Sequence, residues 1–244
     1  MSKVFPLNAV WLYLVLLFTL TTTCSRESAD RRSNPDEQPP TTPSAAPKPL
    51  PLPAIVFLGD SLTAGRGLPE HEALPAVLQQ RVAAAGLRYQ VINGGRSGDT
   101  TAGGAARLSW YLRDSVNLQV LVIGLGSNDA MRGQPLTEIE VNLKKIIAAA
   151  RAHDPQMSIF LWQLQTFPNL GADYGREFEA LFTRVAADEK VQLLPFPLHG
   201  VAGKRELNQE DGIHPTAAGT RVVADNIWPV LEPELRRRVN AAAR

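Results

Sequence analysis

Cysteine is nearly absent from this sequence of 244 residues, in which Cys24 is the only one. No disulfide can form within the chain, so none can stabilise the fold. Charge of one sign is also lacking, because 25 Lys and Arg residues nearly balance 24 Asp and Glu residues. A net charge of +1 gives no electrostatic basis for binding nucleic acid, and we expect no such partner. Histidine is scarce too, with four residues, which leaves few imidazole ligands for a metal site.

Long apolar runs are also rare, and the one near the N-terminus covers residues 9–20. This run is shorter than the roughly 20 residues that a transmembrane helix needs. With Lys3 before it, the run is typical of the apolar region of a signal peptide. We therefore predict a signal peptide over residues 1–23 and export of the protein to the periplasm or cell envelope.

Cys24 follows this apolar region closely, and a proline-rich segment follows Cys24. The position resembles that of the acylated cysteine in a bacterial lipoprotein signal, although Thr21 stands where leucine is usual. Eight prolines lie between Pro35 and Pro53, a composition typical of a semi-rigid disordered spacer. Residues 24–53 are therefore predicted to be a tether. Two alternatives stay open: a lipid on Cys24 that anchors the protein to a membrane, or conventional cleavage of the signal peptide.

From residue 54 to residue 244, the sequence alternates short apolar runs with amphipathic segments. The apolar runs are rich in branched residues and are predicted to be parallel strands buried on both faces, at 54–58, 89–93, 120–126, 158–164 and 191–196. Helices are predicted between them, including one that begins with a capping box of Thr137 and Glu140. The predicted fold class is therefore α/β, a three-layer α/β/α domain with a central parallel sheet of about five strands.

Polar residues follow these strands at the points where the chain leaves the sheet. Ser61 follows the first strand in GDSLTAG, Gly98 follows the second in NGGRSGDT, and Asn128 follows the third in GLGSNDAMRG. Ligands of open α/β sheets bind outside the carboxyl ends of the strands. We therefore expect a nucleophile, Ser61, and two groups that stabilise an oxyanion, Gly98 and Asn128, to meet at one edge of the sheet.

After the last predicted strand, the segment DGIHP places Asp211 three residues before His214. Pro215 disfavours helical backbone at the preceding residue, so His214 is predicted to lie just outside a helix that Pro215 begins. Asp211 is close enough to accept a hydrogen bond from one ring nitrogen, which suits a general base that serves Ser61. Taken singly, each of these residues is also an ordinary cap or turn residue. Their joint occurrence with the other strand-end residues favours acyl-transfer chemistry.

The segments GDSLTAG, SGDTTAGGAARL, GLGSNDAMRG and DGIHP, in this order and at these intervals, resemble the four sequence blocks of the GDSL or SGNH hydrolase family. The resemblance is greatest with the bacterial thioesterase, lysophospholipase and arylesterase branch, and it covers nearly all of residues 54–235. It implies a flavodoxin-like α/β/α fold. It also implies a catalytic triad in which Ser61 is the nucleophile and Asp211 and His214 complete the set.

The same resemblance implies an oxyanion hole formed by Gly98, Asn128 and the N–H of Ser61, and an acyl pocket bordered by residues 165–175. The implied reaction is hydrolysis of a small-molecule carboxylic ester or thioester, such as an aryl or short-chain ester, a lysophospholipid or an acyl thioester. The chain is expected to act as a monomer, with no cofactor and no metal.

Three other functions fit parts of this pattern. A flavin-binding protein of the flavodoxin type would place phosphate at the same strand ends, where Asp60 and Asp99 would repel it. A metallophosphoesterase would use the aspartates, but one well-placed histidine, His214, supplies too few imidazole ligands for a two-metal site. A non-catalytic surface binding protein could retain the fold. The complete set of acyl-transfer groups favours the hydrolase over all three.

Overall fold

The structure is a computed structural model that describes residues 51–166 and 168–242. The predicted signal peptide, Cys24 and the tether up to residue 50 lie outside the described residues. Within the described residues, no helix is both long enough and apolar enough to span a bilayer.

The described part of the chain begins slightly before the predicted domain boundary at Ala54. The carbonyl of Pro51 accepts a hydrogen bond from the side chain of Asn117 at 2.7 Å. The carbonyl of Pro53 accepts one from the N–H of Gln90 at 2.9 Å. The last three residues that the sequence assigns to the tether are therefore attached to the domain.

Five parallel strands form one sheet, in the order β2-β1-β3-β4-β5. Their bounds are β1 Ala54–Gly59, β2 Gln90–Gly95, β3 Leu118–Gly124, β4 Ser158–Trp162 and β5 Gln192–Leu194. The predicted fold class and all five predicted strands are confirmed, with small shifts at the strand ends. The strand order reverses beside β1, and such a reversal opens a crevice between the carboxyl ends of β1 and β3.

The prediction that every strand is buried on both faces is correct for the middle of the sheet and wrong at its edges. All residues of β1 and β4 are buried, as are nearly all of those in β3. In β2, however, Gln90 and Asn93 are exposed, and β5 also begins with an exposed residue. Since β2 and β5 are the edge strands, the flanking helices cover them less completely.

Within residues 51–166 and 168–242, seven α-helices accompany the sheet: α1 Ser61–Ala64, α2 Leu74–Ala84, α3 Thr101–Arg107, α4 Ser127–Met131, α5 Leu136–His153, α6 Ala172–Asp188 and α7 Ala217–Ala242. Short 3₁₀ turns lie at Glu70–Glu72, Leu108–Trp110, Pro168–Leu170 and Arg205–Leu207. Helix α2 packs against α7, whereas α5 packs against both α3 and α6. Because right-handed crossovers that run in opposite directions along a sheet lie on opposite faces, these two groups form the outer layers.

The predicted capping box at the start of α5 is wrong. The helix begins before Thr137, its N-cap residue is Pro135, and no side chain caps it. The carboxylate of Glu140 binds Arg184 at 2.7 Å and Lys144 at 2.9 Å. These two cations draw Glu140 along the helix surface and away from the helix start, so no reciprocal capping pair forms.

Candidate active site

Ser61 is the first residue of α1 and follows β1 after a single intervening residue. That residue, Asp60, is the N-cap, and its Oδ1 accepts a hydrogen bond from the N–H of Leu62 at 3.0 Å. The turn from strand to helix is tight, because a Cβ at Gly59 would collide with the side chain of Thr63. The local sequence therefore holds Ser61 at the carboxyl edge of the sheet, at the start of a helix.

His214 lies between Ser61 and Asp211 in a continuous series of hydrogen bonds. Its Nε2 is 2.8 Å from Oγ of Ser61, and its Nδ1 is 2.6 Å from Oδ2 of Asp211. A carboxylate can only accept, so Nδ1 carries a hydrogen and Nε2 of the neutral ring is free to accept the serine proton. The three residues that the sequence predicts for one site are thus in direct contact.

The carboxylate of Asp211 is held by the backbone of the same loop. Its Oδ1 accepts hydrogen bonds from the N–H groups of His214 and Ile213, each at 3.0 Å. These two bonds, together with the one from the imidazole, hold the pKa of Asp211 well below its usual range. Asp211 therefore stays ionised over the whole neutral range, although its side chain is 40% exposed.

The prediction that Pro215 begins a helix is wrong. Helix α7 begins at Ala217, and Pro215 instead pairs with Asn208 in an isolated antiparallel bridge. Oγ1 of Thr216 accepts a hydrogen bond from the first turn of α7 at 3.2 Å. Because Thr216 supplies the capping oxygen, the helix starts after it, and His214 lies in the preceding loop.

Gln209 joins the histidine loop to the serine loop, and the sequence analysis missed it. Its N–H donates to the carbonyl of His214 at 2.7 Å. Its side-chain nitrogen donates to the carbonyls of Arg66 at 2.7 Å and Pro215 at 2.9 Å. A glutamine in a loop carries no recognisable signal, so only the three-dimensional structure identifies this bridge.

Gly98 and Asn128 lie at the same site as Ser61 and His214. Gly98 has a φ of +79°, which favours glycine, and its carbonyl accepts a hydrogen bond from Arg132 at 2.7 Å. Asn128, near the start of α4, is buried, and its Nδ2 donates to Oδ2 of Asp60 at 3.2 Å. Within the described residues, the N–H groups of Ser61 and Gly98 donate to no other group. These N–H groups and the Asn128 amide are available as donors to a ligand.

Asp60 is in a very different environment from Asp211. It is 3% exposed, and burial raises the pKa of its carboxyl to about 6. The hydrogen bond from the N–H of Leu62 and the proximity of His214 oppose this effect without cancelling it. The sequence predicts that Asp60 would repel phosphate, but it does not predict the contact of Asp60 with Asn128.

A second buried network holds the loop that contains Gly98. Nε of Arg107 is 2.6 Å from Oδ2 of Asp99, and both side chains are buried. Nη2 of Arg107 also donates to the carbonyl of Gly59, at the end of β1, at 2.9 Å. The sequence did not predict this buried arginine. It links the loop after β2 to Gly59, two residues before Ser61.

One cavity of about 560 Å³ connects these groups. Ser61, Gly98, Asn128 and His214 all line it. Its apolar lining is formed by Leu62, Met131, Leu164, Phe196, Leu198 and Ile213. The arrangement can accept an apolar group beside a nucleophilic hydroxyl, with hydrogen-bond donors in the same cavity.

The segment 165–175, which the family resemblance places at an acyl pocket, reaches the cavity through Gln165 and Thr166. Phe167 lies outside the described residues. Pro168–Leu170 form a 3₁₀ turn and α6 begins at Ala172, and none of residues 169–175 lines the cavity. Among the side chains that the structure describes, those at the start of the expected segment therefore border the site.

The remaining histidines do not join this site. His71, His153 and His199 are all exposed, as expected from their lack of suitable neighbours in the sequence. Among the residues that the structure describes, no group of three or more His, Cys, Asp or Glu side chains has the geometry to hold a metal ion.

A hydrogen-bonded Ser, His and Asp at the carboxyl edge of a parallel sheet define a class of hydrolytic enzymes. The profile of the GDSL-like lipase/acylhydrolase family matches residues 57–222. The chain therefore belongs to this family, which confirms the resemblance drawn from its four motifs.

Three relatives support the same assignment. Esterase TesA of Pseudomonas aeruginosa is 39% identical over 74% of this chain and 89% of its own length. Thioesterase 1/protease 1/lysophospholipase L1 of Escherichia coli K12 is 34% identical over 73% of this chain and 83% of its own. The crystal structure of the psychrotrophic esterase EstA from Pseudoalteromonas sp. has a TM-score of 0.70 and 29% identity, and covers 75% of this chain and 98% of that one. The chain is thus an ester hydrolase of the GDSL type.

Proposed function

We propose that this protein is a serine esterase that forms an acyl-enzyme on Ser61 and then hydrolyses it. One observation carries the proposal: Nε2 of His214 is 2.8 Å from Oγ of Ser61 while Nδ1 is 2.6 Å from Asp211. This geometry is that of a nucleophile, a general base and the group that orients the base.

In the first half-reaction, His214 takes the proton of Ser61 as Oγ attacks the carbonyl carbon of the substrate. Asp211 stabilises the imidazolium that forms. The tetrahedral intermediate collapses when the protonated ring gives its proton to the leaving alcohol or thiol, which departs and leaves an ester on Ser61. Water then attacks this ester with His214 again as the base, and the carboxylic acid is released as the serine is restored.

The negative charge of each tetrahedral intermediate falls on the former carbonyl oxygen. We assign its stabilisation to the N–H groups of Ser61 and Gly98 and to Nδ2 of Asn128, which belong to residues that line one cavity. Among the residues that the structure describes, the one acceptor bonded to these three groups is Asp60, which binds Nδ2 of Asn128. Ser61 begins a helix, so its N–H is one of those that a helix leaves without an internal partner.

The substrate we propose is a small-molecule carboxylic ester or thioester with an apolar acyl or aryl group. The apolar lining of the cavity supports this, and Met131 and Ile213 remain 47% and 38% exposed beside it. The names of the relatives, which include an esterase and a thioesterase/lysophospholipase, agree with this range. The EstA structure is described as inhibited by monoethylphosphonate, a reagent class that mimics the tetrahedral intermediate at a serine.

A fluorescent fluorophosphonate probe tests the assignment of Ser61. Wild type should be labelled covalently and Ser61→Ala should not, with hydrolysis of p-nitrophenyl acetate lost in parallel. Ser109→Ala, at an exposed serine away from the cavity, is the matched control and should be labelled like wild type. Equal labelling of wild type and Ser61→Ala would refute the proposal.

We also propose that the enzyme is exported and attached to a membrane through a lipid on Cys24. Support comes from the apolar run at residues 9–20, the single cysteine close behind it and the proline-rich segment that separates it from the domain. Cys24→Ser should move the protein from the membrane fraction to the soluble fraction of the envelope without changing kcat. A wild-type protein that is already soluble would refute the anchor and favour conventional cleavage of the signal peptide.

A further inference from the structure

We infer that Asp60 is a positioning residue, which holds the Asn128 amide in the one orientation that can stabilise the oxyanion. The inference rests on the proposed function, because it assumes that Asn128 is an oxyanion donor. The contact that carries it is the hydrogen bond from Nδ2 of Asn128 to Oδ2 of Asp60 at 3.2 Å, between two buried side chains.

An asparagine side chain can lie in two orientations that exchange its oxygen and nitrogen. In one orientation Nδ2 of Asn128 donates a hydrogen to Asp60 and retains a second hydrogen for a ligand in the cavity. In the other, Oδ1 would face the carboxylate, and two acceptors would repel each other in a buried site. An ionised Asp60 therefore selects the orientation that presents N–H to the substrate.

Asp60 is itself held in place, so it can hold the Asn128 side chain in this orientation. It precedes Ser61 in the chain, and its other oxygen accepts the N–H of Leu62 at 3.0 Å. One carboxylate thus contacts both the helix that begins with the nucleophile and the helix that carries Asn128. The distance between nucleophile and oxyanion donor is set through a single residue.

The charged groups around Asp60 come from three neighbouring elements. His214 faces it from the loop before α7, and Asp99 faces it from the loop after β2, where it is paired with Arg107. Asp129, beside Asn128 on α4, is engaged by hydrogen bonds with the start of α3. In the described structure, none of these groups forms a hydrogen bond with Asp60. The carboxylate of Asp60 is bonded instead to the N–H of Leu62 and the side chain of Asn128.

The inference makes a specific statement about Asp60→Asn. An amide at this position can still accept the N–H of Leu62 and so preserve the cap of α1. It can also donate a hydrogen to Oδ1 of Asn128, which permits the wrong orientation of that side chain. We expect kcat to fall roughly 10- to 100-fold with little change in KM, less than the loss of about 100- to 1,000-fold expected for Asn128→Ala.

A double-mutant cycle separates positioning from other effects. If Asp60 acts through Asn128, then Asp60→Asn combined with Asn128→Ala should be no slower than Asn128→Ala alone, within about 3-fold. Multiplication of the two losses would overturn the inference, because Asp60 would then act independently of Asn128. Thermal unfolding and far-UV circular dichroism of each variant verify that the fold is intact.

The pH profile of kcat/KM provides a second readout that a purely structural role would not change. Burial raises the pKa of the Asp60 carboxyl to about 6, so wild type should lose the benefit of this carboxylate as it takes up a proton. The ratio of kcat/KM of wild type to that of Asp60→Asn should therefore decrease as pH falls from 7.5 to 5. A ratio that stays constant across this range would overturn the inference.

The same experiments distinguish failure of this inference from failure of the proposed function. If Asn128→Ala keeps the wild-type kcat, Asn128 is not an oxyanion donor, and the role of Asp60 falls with it. If Asn128→Ala loses activity as expected but Asp60→Asn does not, only the role of Asp60 is overturned.

Discussion

Two aspartates lie close to Ser61, and their environments differ sharply. Asp211 is 40% exposed at its side chain and accepts two backbone N–H groups and the imidazole of His214. Asp60 is 3% exposed and accepts one backbone N–H and one side-chain amide. The hydrogen bonds lower the pKa of Asp211, whereas burial raises the pKa of Asp60 to about 6.

The difference fits the two roles that we propose for these aspartates, one beside the general base and one beside the oxyanion donor. A group that steadies an imidazolium should be negative at every pH at which the enzyme works, and Asp211 meets this condition through its three donors. In the role that we propose for it, Asp60 needs to be ionised only near neutral pH, which a pKa of about 6 still allows, and its burial carries some cost in stability. Environment rather than residue type assigns the two roles.

The largest expected effect comes from Asp211→Asn. The new amide can donate to Nδ1 of His214 and so favour the tautomer that carries hydrogen on Nε2, which cannot accept the serine proton. We expect kcat on a short p-nitrophenyl ester to fall roughly 1,000- to 10,000-fold. The exposed Asp225, paired with Arg81 on the protein surface, gives the matched control Asp225→Asn, which should retain wild-type kcat.

A loss of less than 10-fold for Asp211→Asn would contradict this prediction. Asp211 would then serve only to turn the loop, through its bonds to the backbone of Ile213 and His214. Asp211 would then have no part in catalysis, and the comparison of the two aspartates would concern their burial and pKa alone.

The contact between Asp211 and His214 could be predicted from the sequence, whereas the contact between Asp60 and Asn128 could not. Asp211 and His214 are three residues apart, so their contact is local and follows from the motif alone. Asn128 and Asp60 are far apart in the chain, and their contact depends on the adjacency of β1 and β3 in the sheet. Gln209 and Arg107 were missed partly for the same reason, since each also donates to a carbonyl that is distant in the chain, Gln209 to Arg66 and Arg107 to Gly59.

The fold was predictable where apolar pattern and burial coincide. The central strands are uniformly apolar and uniformly buried, so β1, β3 and β4 follow from the sequence. The position of a strand at the edge of the sheet is a property of the whole topology, so the exposure of β2 was missed. Helix starts were predicted least well, because the choice between Pro215 and Thr216, or between Pro135 and Thr137, depends on neighbouring contacts that no local motif shows.

A smaller effect is expected on stability, and it arises from Asp60. Because its folded pKa is about 6 and its ordinary value is 3.8, the native state binds more protons than the unfolded state between these values. The contribution of Asp60 to the free energy of unfolding is therefore fully present below pH 3.8 and is lost as pH rises through about 6. The total decrease in the free energy of unfolding is about 3 kcal/mol. Asp60→Asn removes this titration, so the variant should gain stability relative to wild type as pH increases.

Urea unfolding of wild type and Asp60→Asn from pH 4 to pH 7.5 measures this difference. The free energy of unfolding of the variant minus that of wild type should increase across this range. A difference that stays constant with pH would mean that Asp60 titrates normally and that its burial carries no electrostatic cost.

The smallest expected effect has the opposite sign and belongs to Asp211. Its folded pKa is lowered, so its contribution to stability is present above the ordinary value of 3.8 and is lost as pH falls below it. Because the side chain is 40% exposed, solvent screening limits this contribution to about 1 kcal/mol or less. Unfolding of Asp211→Asn between pH 2.5 and pH 5 should therefore show a shallower loss of stability on acidification than wild type. A loss steeper than that of wild type would mean that the carboxylate is not stabilised in the folded state, and the contrast with Asp60 would then rest on burial alone.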